Sequence, residues 1–409
     1  MLFSFSFLEF IVIFYAKFHK NERRFAFLPL KPVLFMEIFC IALAALSTLV
    51  WVGFVLLPWR PWSNQQALDA PNETDLDVLL QDITVIIPAR DEAEVITQTL
   101  QGVINQGSEL EIILIDDGSE DGTTEKAVQA APANLRIVRG QTLPAAWGGK
   151  LWALEQGRRL VRTPYTLLLD ADIALDKGIV KALREKMQKE CVPFISLMAA
   201  PSMSSGWEKF LMPAFVYFFK VLYPFERVNS RRSKIAAAAG GCILIESKLL
   251  EQIGGFTPIK LAVIDDCTLA RRVKSRGVGI WLGVSHSVKS IRRYQHVQEI
   301  WNMVARSAFA QLRYSVWRLV LCTLSMLLIY EAPVVLLASQ NIPIRLLSIV
   351  SLTIMVSTYL PTLQFYHRSW AWGFGLPLVA ALFLLMTWTS ALRYWRGEYT
   401  RWKGRIYRR

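Results

Sequence analysis

Four apolar segments constrain this chain more than any other feature, because each is long enough to cross a hydrocarbon core that takes roughly 20 helical residues. Val33 to Pro58 is broken only by Glu37, and Val316–Ala338, Leu346–Phe365 and Trp370–Leu392 follow near the other end. Short polar links around Gln340-Asn341 and His367-Arg368 join the last three, and Arg318 and Glu331 weaken the first of them as a span. The fold must therefore hold a polar stretch, 60–315, between membrane elements. Residues 1–35 stand apart: 1–15 are mostly apolar, a basic stretch from Lys17 to Lys31 follows at once, and Met36 opens a second plausible start. They read as a start-site artefact, a leader or an extra helix.

Composition agrees with a lipid setting. Hydrophobic residues make up 53% of the chain and charged ones only 19%, against roughly 25% charged in an average soluble domain. Lys and Arg exceed Asp and Glu by 46 to 33, a net charge of +13, and Arg393–Arg409 alone hold six Arg and one Lys against one Glu. A local basic patch beside a membrane segment suits anionic lipid headgroups and argues against a nucleic-acid surface. The tail from Trp395-Arg396 through Trp402-Lys403-Gly404-Arg405 mixes aromatic and basic residues as interface anchors do. Cys40, Cys191, Cys242, Cys267 and Cys322 form no CxxC pair and have no histidine at metal spacing, which argues against a disulfide scaffold and a zinc site. With only 4 histidines, carboxylates must carry the chemistry.

The segmentation that follows is an uncertain 1–35, a membrane helix at 36–58, a polar linker at 59–81, an α/β domain at 82–315, two to three membrane segments at 316–392 and a basic aromatic tail at 393–409. Within the domain, Asp82–Pro88, Glu111–Asp116, Asn134–Val138 and Tyr165–Asp170 are short β-branched or leucine-rich runs, as expected of buried strands in a parallel sheet. Helical patterns at 92–106, 121–131, 150–162 and 176–190 alternate with them, which predicts a doubly wound fold.

Three acidic groups stand where strands should end. Asp116-Asp117-Gly118-Ser119-Glu120-Asp121-Gly122-Thr123 follows the run Ile112–Ile115, at the position where open α/β sheets form a ligand crevice. It also reads as an Asp/Gly turn, but not as a calcium loop, since the twelfth position counted from Asp117 is Val128. Asp170-Ala171-Asp172 ends the strand Tyr165–Leu169, and two carboxylates so spaced suit Mg²⁺ or Mn²⁺, whose other ligands come from phosphates and water. Asp265-Asp266 opens a helix, where acids favour the dipole and where one carboxylate has the chemistry of a general base toward a hydroxyl. Two phosphate motifs fail: Gly148-Gly149-Lys150 is followed by Leu151 instead of Ser or Thr, and Gly277 to Gly283 misses dinucleotide spacing by one residue.

Ile86-Ile87-Pro88-Ala89-Arg90-Asp91-Glu92, the Asp116 group, Gly149-Lys150, Asp170-Ala171-Asp172 and Asp265-Asp266 occur in the order that resembles inverting family 2 glycosyltransferases. Within that family, Trp147–Ala153, Ala236–Cys242, Ile264–Leu269, Ile280–Gly283, Met303–Phe309 and Gln311–Ser315 look like the hopanoid-biosynthesis-associated glycosyltransferases, and the resemblance covers about residues 36–409. It implies a GT-A fold, a Rossmann-like α/β domain with a mostly parallel sheet flanked by transmembrane helices.

The resemblance also implies a UDP-sugar donor, with Pro88, Asp116 and Asp117 at the nucleoside, aided by Arg90, Glu92 and Lys150. Asp172 would ligate Mg²⁺ or Mn²⁺ on the diphosphate with Asp170 beside it. Asp266, next to Asp265, would be the base that deprotonates the acceptor. Arg306 or Arg313 would touch the leaving diphosphate, as guanidinium suits phosphate. Two departures stand out. The family's Asn-Glu is Asp91-Glu92 here, and the Gln/Arg-x-x-Arg-Trp motif of processive relatives is Gln311-Leu312-Arg313-Tyr314, which points to a single addition.

A lipid acceptor fits the surroundings. Trp207 to Tyr223 carries the cluster Phe215–Phe219 between Lys209 and Lys220, and reads either as an interfacial helix framing an acceptor entrance or as an amphipathic core helix. The expected product is a glycosylated lipid, a hopanoid or a relative, made at the inner (plasma) membrane with the catalytic domain cytoplasmic. The enzyme alternative is a polyprenyl-phosphate sugar or polysaccharide synthase. The alternative of another class is a non-catalytic nucleotide-binding membrane scaffold, against which the three intact acidic groups speak. The positive-inside rule conflicts with a basic 17–31 outside the cell, which favours translation from Met36, and predicts a cytoplasmic tail with one segment, 316–338, re-entrant or interfacial.

Overall fold

A computed structural model of the protein describes residues 30–71, 79–130, 134–398, 401–402 and 405–406. The predicted leader and most of the basic stretch 17–31 lie outside the described residues, as does Lys403 of the tail.

The four apolar runs of the first strands become β1 (Ile83–Ala89), β2 (Glu111–Asp116), β3 (Leu135–Arg139) and β4 (Tyr165–Leu169). They pair side by side and parallel, in the order β3-β2-β1-β4. Helices Ile96–Ile104, Thr123–Gln129 and Gly149–Arg158 intervene, each shorter than its sequence pattern. Beyond β4 come β5 (Ile173–Leu175), β6 (Phe194–Ala200), β7 (Cys242–Glu246) and β8 (Trp281–Ser290), completing one sheet of order β3-β2-β1-β4-β7-β6-β8-β5. β7 runs antiparallel to both β4 and β6, β8 runs parallel to β6, and β5 is antiparallel to β8. Only β5 and β7 therefore oppose the common direction, so the mixed sheet is mostly parallel.

Strand periodicity sends alternate residues to opposite faces. Val85 and Ile87 of β1 join a core with Leu100, Val103 and Leu183, while Ile86 meets Leu154, Leu168 and Phe194 on the other side. Both faces are covered, and every residue of β1 is buried.

Register decides where the site lies. Ala89 pairs with Asp116 and Ile86 with Leu168, so the carboxyl ends of β1, β2 and β4 are level. Leu169 pairs with Cys242, so the reversed β7 begins at that same edge and brings Gly240-Gly241 beside Asp170. The end of β8 falls there too, because β8 shares the direction of β4.

Among the described residues four helices are long and apolar enough to cross a membrane: Leu34–Leu56, Val316–Leu336, Ile342–Phe365 and Trp370–Trp395. They meet through small polar contacts suited to a low-dielectric setting. Thr48 Oγ1 lies 2.9 Å from Ser351 Oγ. The stretch Leu327–Glu331 is π-helical, and the Trp51 indole donates to the Ile329 carbonyl at 2.9 Å.

Helix Gly206–Leu222 joins domain to bundle. Leu211, Met212, Ala214 and Tyr217 pack with Tyr359, Leu376 and Phe383, which supports the core reading of this helix over the interfacial one. Its Lys220 is fully enclosed, donating to Thr362 Oγ1 at 2.9 Å, to the Ser63 and Trp62 carbonyls at 3.3 and 3.4 Å, and to Asn64 Oδ1. No carboxylate contributes to this cage, and burial pulls the amine down to about 7. Part of the predicted linker is docked on the domain: Leu68 N–H donates to the Val284 carbonyl, and Asp69 accepts from Ser285 and from the backbone of His286 and Ser287.

Candidate active site

Three chain reversals gather the acids at the carboxyl edge of the sheet. The Asp170-Ala171-Asp172 loop is pinned by its backbone: Asp170 N–H donates to Gly241 O at 3.1 Å, Ala171 O accepts from Thr99 Oγ1 at 2.7 Å, and Asp172 O accepts from Ile291 N–H at 2.9 Å. With the main chain fixed, both side chains are presented at the edge.

Lys150, in the first turn of helix Gly149–Arg158, places its ammonium 2.7 Å from Asp170 Oδ1 and 3.5 Å from Asp265 Oδ2. Although burial works against its charge, Asp170 and Asp265 hold Lys150 protonated, well above its ordinary range. Asp170 is pushed up to about 6 by its enclosure, with Lys150 opposing and Asp172 assisting.

Asp266 is fixed by two main-chain donors, Gly240 N–H to Oδ2 at 2.8 Å and Cys267 N–H to Oδ1 at 2.6 Å. A Cβ on Gly240 would stand 3.2 Å from Oδ2, so glycine permits this close approach. Enclosure, with the neighbouring Asp265 charge, raises Asp266 to about 6. Lys150, Asp170, Gly240, Asp265 and Asp266 line one pocket whose floor is Leu168, Leu169 and Ile243.

The other predicted residues divide. Pro88 is buried in β1, and Glu92 is buried at the start of the following loop. The Asp116 carboxylate is absorbed by its own turn: Oδ1 accepts from the Ser119 backbone and hydroxyl at 2.9 and 2.5 Å, and Oδ2 from Thr124 at 2.8 Å. Asp117 is buried, and its carbonyl accepts from Arg90 Nη1 at 2.6 Å. Asp91 adopts φ 51° and receives the Glu120 N–H at 2.9 Å, so an aspartate serves where the family resemblance predicts asparagine. Gln311 donates to the Tyr223 hydroxyl, while Arg306 and Arg313 are exposed along and beyond helix Val297–Gln311. The structure thus brings Lys150, Asp170, Asp172, Asp265 and Asp266 together, while Arg313 lies at an exposed turn.

One participant has no counterpart in the sequence reading. Arg292, just past the end of β8, sets Nε 2.6 Å from Asp172 Oδ2 and Nη2 2.8 and 2.9 Å from the two oxygens of Glu92. The Ile291-Arg292-Arg293 run looks like solvated charge. Its signal was position, a basic pair directly after a strand that ends at the acidic edge.

Asp170 and Asp172 are hard oxygen donors side by side, each paired with a cation, and this donor set fits a divalent metal that completes its shell with phosphate and water. Among the described residues no group of three or more metal-binding side chains converges, so such an ion would depend on its substrate for most ligands.

Residues 84–254 match the family described as Glycosyl transferase family 2. The 4,4'-diaponeurosporenoate glycosyltransferase of Staphylococcus haemolyticus (strain JCSC1435) is 32% identical over 96 residues, covering 24% of this chain and 25% of that one. The enzyme of the same name from Staphylococcus aureus (strain USA300) is 32% identical over 107 residues, 26% of this chain and 28% of its own. The match spans about a quarter of these relatives' length. Among solved structures, the mannosyltransferase PcManGT from Pyrobaculum calidifontis, in complex with GDP-Man and Mn²⁺, superposes with a TM-score of 0.52 at 16% identity, covering 88% of this chain and 99% of that one. Residues 84–254 thus carry the match to glycosyl transferase family 2, and the sheet order and the likeness to PcManGT give the domain a GT-A fold.

Proposed function

We propose that this protein is a membrane-bound, metal-dependent glycosyltransferase that moves a sugar from a UDP-sugar to a lipid hydroxyl with inversion, the acceptor being a hopanoid or related lipid. The observation that carries this reading is Lys150 held between Asp170 and Asp265, with Asp266 fixed behind them by two backbone N–H groups. A site needing only structural charge has no use for so many enclosed carboxylates.

The residues divide the labour as follows. Asp170 and Asp172 would hold Mg²⁺ or Mn²⁺, which when bound supplies Lewis-acid neutralisation of the donor diphosphate. Lys150 keeps Asp170 ionised. Asp266 takes the proton from the acceptor hydroxyl as its oxygen bonds to the anomeric carbon. The bond from that carbon to the phosphate oxygen breaks in line, and its electron pair leaves on the diphosphate. Attack opposite the leaving group inverts the centre. Four apolar helices and the buried helix Gly206–Leu222 support a lipid acceptor, and the staphylococcal relatives are named for glycosylating 4,4'-diaponeurosporenoate. The basic tail would contact anionic headgroups on the cytoplasmic side of the inner membrane, where the donor is made.

The test is donor consumption by the full chain in detergent, with a panel of UDP- and GDP-sugars, divalent metal and a lipid extract. Consumption of one UDP-sugar with label appearing on a neutral lipid is expected. Consumption of a GDP-sugar would reassign the donor, and label on polyprenyl phosphate would reassign the acceptor. No consumption in any arm would overturn the reading.

A further inference from the structure

Arg292 neutralises two carboxylates at once, and its place becomes untenable when a divalent cation arrives. Nε serves Asp172 and Nη2 serves Glu92, whose side chain is almost fully buried. A metal ion on Asp172 would set two positive groups within a few ångströms in a partly enclosed site, where like charges repel strongly. The guanidinium then needs another anion.

The segment carrying Arg292 cannot move to supply one. Ile291 N–H is bonded to Asp172 O at 2.9 Å. Three residues on, Tyr294 N–H donates to Glu208 Oε1 at 2.6 Å, and Tyr294 O accepts from Ser205 Oγ at 2.8 Å. Glu208 is fully buried at the start of helix Gly206–Leu222, where its other oxygen accepts from Ser204 and Ser205. The anchor therefore belongs to the helix packed in the membrane bundle. Only the Arg292 side chain retains freedom, and about a third of it, 34%, is exposed toward the edge.

We propose that Arg292 exchanges partners during donor binding: without donor it is the counter-cation of Asp172 and Glu92, and as the divalent ion takes Asp172 it turns to the donor's diphosphate, which it grips with its planar fork. This assignment rests on the nucleotide-sugar reading of the site and adds an order to it. Metal alone must displace Arg292 and gains nothing for it. Metal arriving with a diphosphate provides the displaced guanidinium with a new anion. Metal and nucleotide consequently favour each other's binding beyond what direct ligation of the diphosphate supplies, and this added coupling runs through the Arg292 side chain.

The experiment measures Mn²⁺ binding to the detergent-solubilised full chain by the EPR signal of free Mn²⁺, with and without UDP and with GDP in parallel, for the unmodified protein, Arg292→Gln and Arg292→Lys. For Arg292→Gln, Mn²⁺ alone is expected to bind about threefold to tenfold tighter, while the enhancement by nucleotide falls about tenfold. Arg292→Lys should recover part of the enhancement, having the charge without the fork. A purely structural arginine would weaken both affinities together. Weaker or unchanged binding of Mn²⁺ alone in Arg292→Gln, or an intact nucleotide enhancement, would overturn the exchange. If the unmodified protein consumes a sugar nucleotide yet shows no such enhancement, the exchange fails while the functional reading stands.

Discussion

The Lys150 ammonium lies 2.7 Å from Asp170 Oδ1, a contact that ties the first turn of a helix to the end of β4 and keeps an enclosed carboxylate charged. Removing the cation leaves Asp170 and Asp265 enclosed without their shared partner. Lys150→Met should lose at least a hundredfold in turnover and destabilise the fold by about 2 kcal/mol, discounted for partial exposure. The sign of its pH dependence is fixed. Asp170, raised by its enclosure and no longer opposed by Lys150, escapes by protonating, so the loss should be full at pH 8 and shrink toward pH 5. Thermal unfolding of both proteins at the two pH values checks this, and an equal loss at each would refute it.

Asp266 must be ionised to accept a proton, and it is raised to about 6. Turnover should therefore fall as pH drops through that value, whereas an unperturbed aspartate would hold activity to about pH 4. Asp266→Asn should retain donor and metal binding and lose about 10²–10⁴-fold in rate, the usual worth of a general base. The decisive comparison is Asp265→Asn: if that variant is dead and Asp266→Asn is active, the base is its neighbour.

Asp172→Ala removes a carboxylate that holds Arg292 and one of the two proposed metal ligands. It should abolish turnover and make nucleotide binding insensitive to Mn²⁺ or Mg²⁺. Calorimetry of UDP binding with and without metal measures this, and retained metal-dependent activity would sink the metal assignment.

The caged Lys220 gives a stability prediction outside the site. Its amine is pulled down to about 7 in the folded protein, against about 10.4 unfolded. Between these values the unfolded chain binds more protons, so this residue's contribution to stability rises with pH. Relative to Lys220→Met, the unmodified protein should gain about 2 kcal/mol between pH 7 and pH 9. Denaturation in detergent at both pH values reads the difference, and a flat difference would mean that the amine stays protonated inside its cage.

How much of this was legible depended on which physical signal each residue carries. β1, β2 and β4 were legible to within a residue or so because strands covered on both faces read as continuous apolar runs, while β3, an edge strand with no buried residue, showed only the short run Leu135-Arg136-Ile137-Val138. β8 was not, since Trp281–Ser290 carries His286 and Lys289 and buries two polar residues, Ser285 and Ser287, which break the apolar run. The reversal of β7 is set by its connection, which local pattern does not encode. In the site, Asp170, Asp172, Asp265 and Asp266 stood out as acids at element ends. Arg292 did not, because an arginine after a strand gains meaning only when register places it opposite Asp172. For Glu208 the Ser205-x-x-Glu208 capping box was readable as a helix start, yet its grip on Tyr294 is a tertiary contact.

Membrane topology follows from charge. The donor proposed above would be made in the cytoplasm and would require the domain between Leu56 and Val316 to face that side, and three full crossings after it would leave the chain's end outside. Arg393–Arg409 carry six Arg and one Lys against one Glu, and the positive-inside rule disfavours exporting them. Segment Val316–Leu336 is the one most suited to turn back. It carries Arg318 and Glu331, it is interrupted by the π-helical stretch Leu327–Glu331, and it directly follows helix Val297–Gln311. We therefore predict a cytoplasmic tail, with this segment re-entrant or interfacial and the two later helices crossing. A cysteine added after Arg409 should resist a membrane-impermeant thiol reagent in whole cells and react once the membrane is opened. The exposed Cys191 of the domain serves as an internal control for the cytoplasmic side. Labelling of the added cysteine in intact cells would mean that all three segments cross and that charge does not set the orientation of this chain.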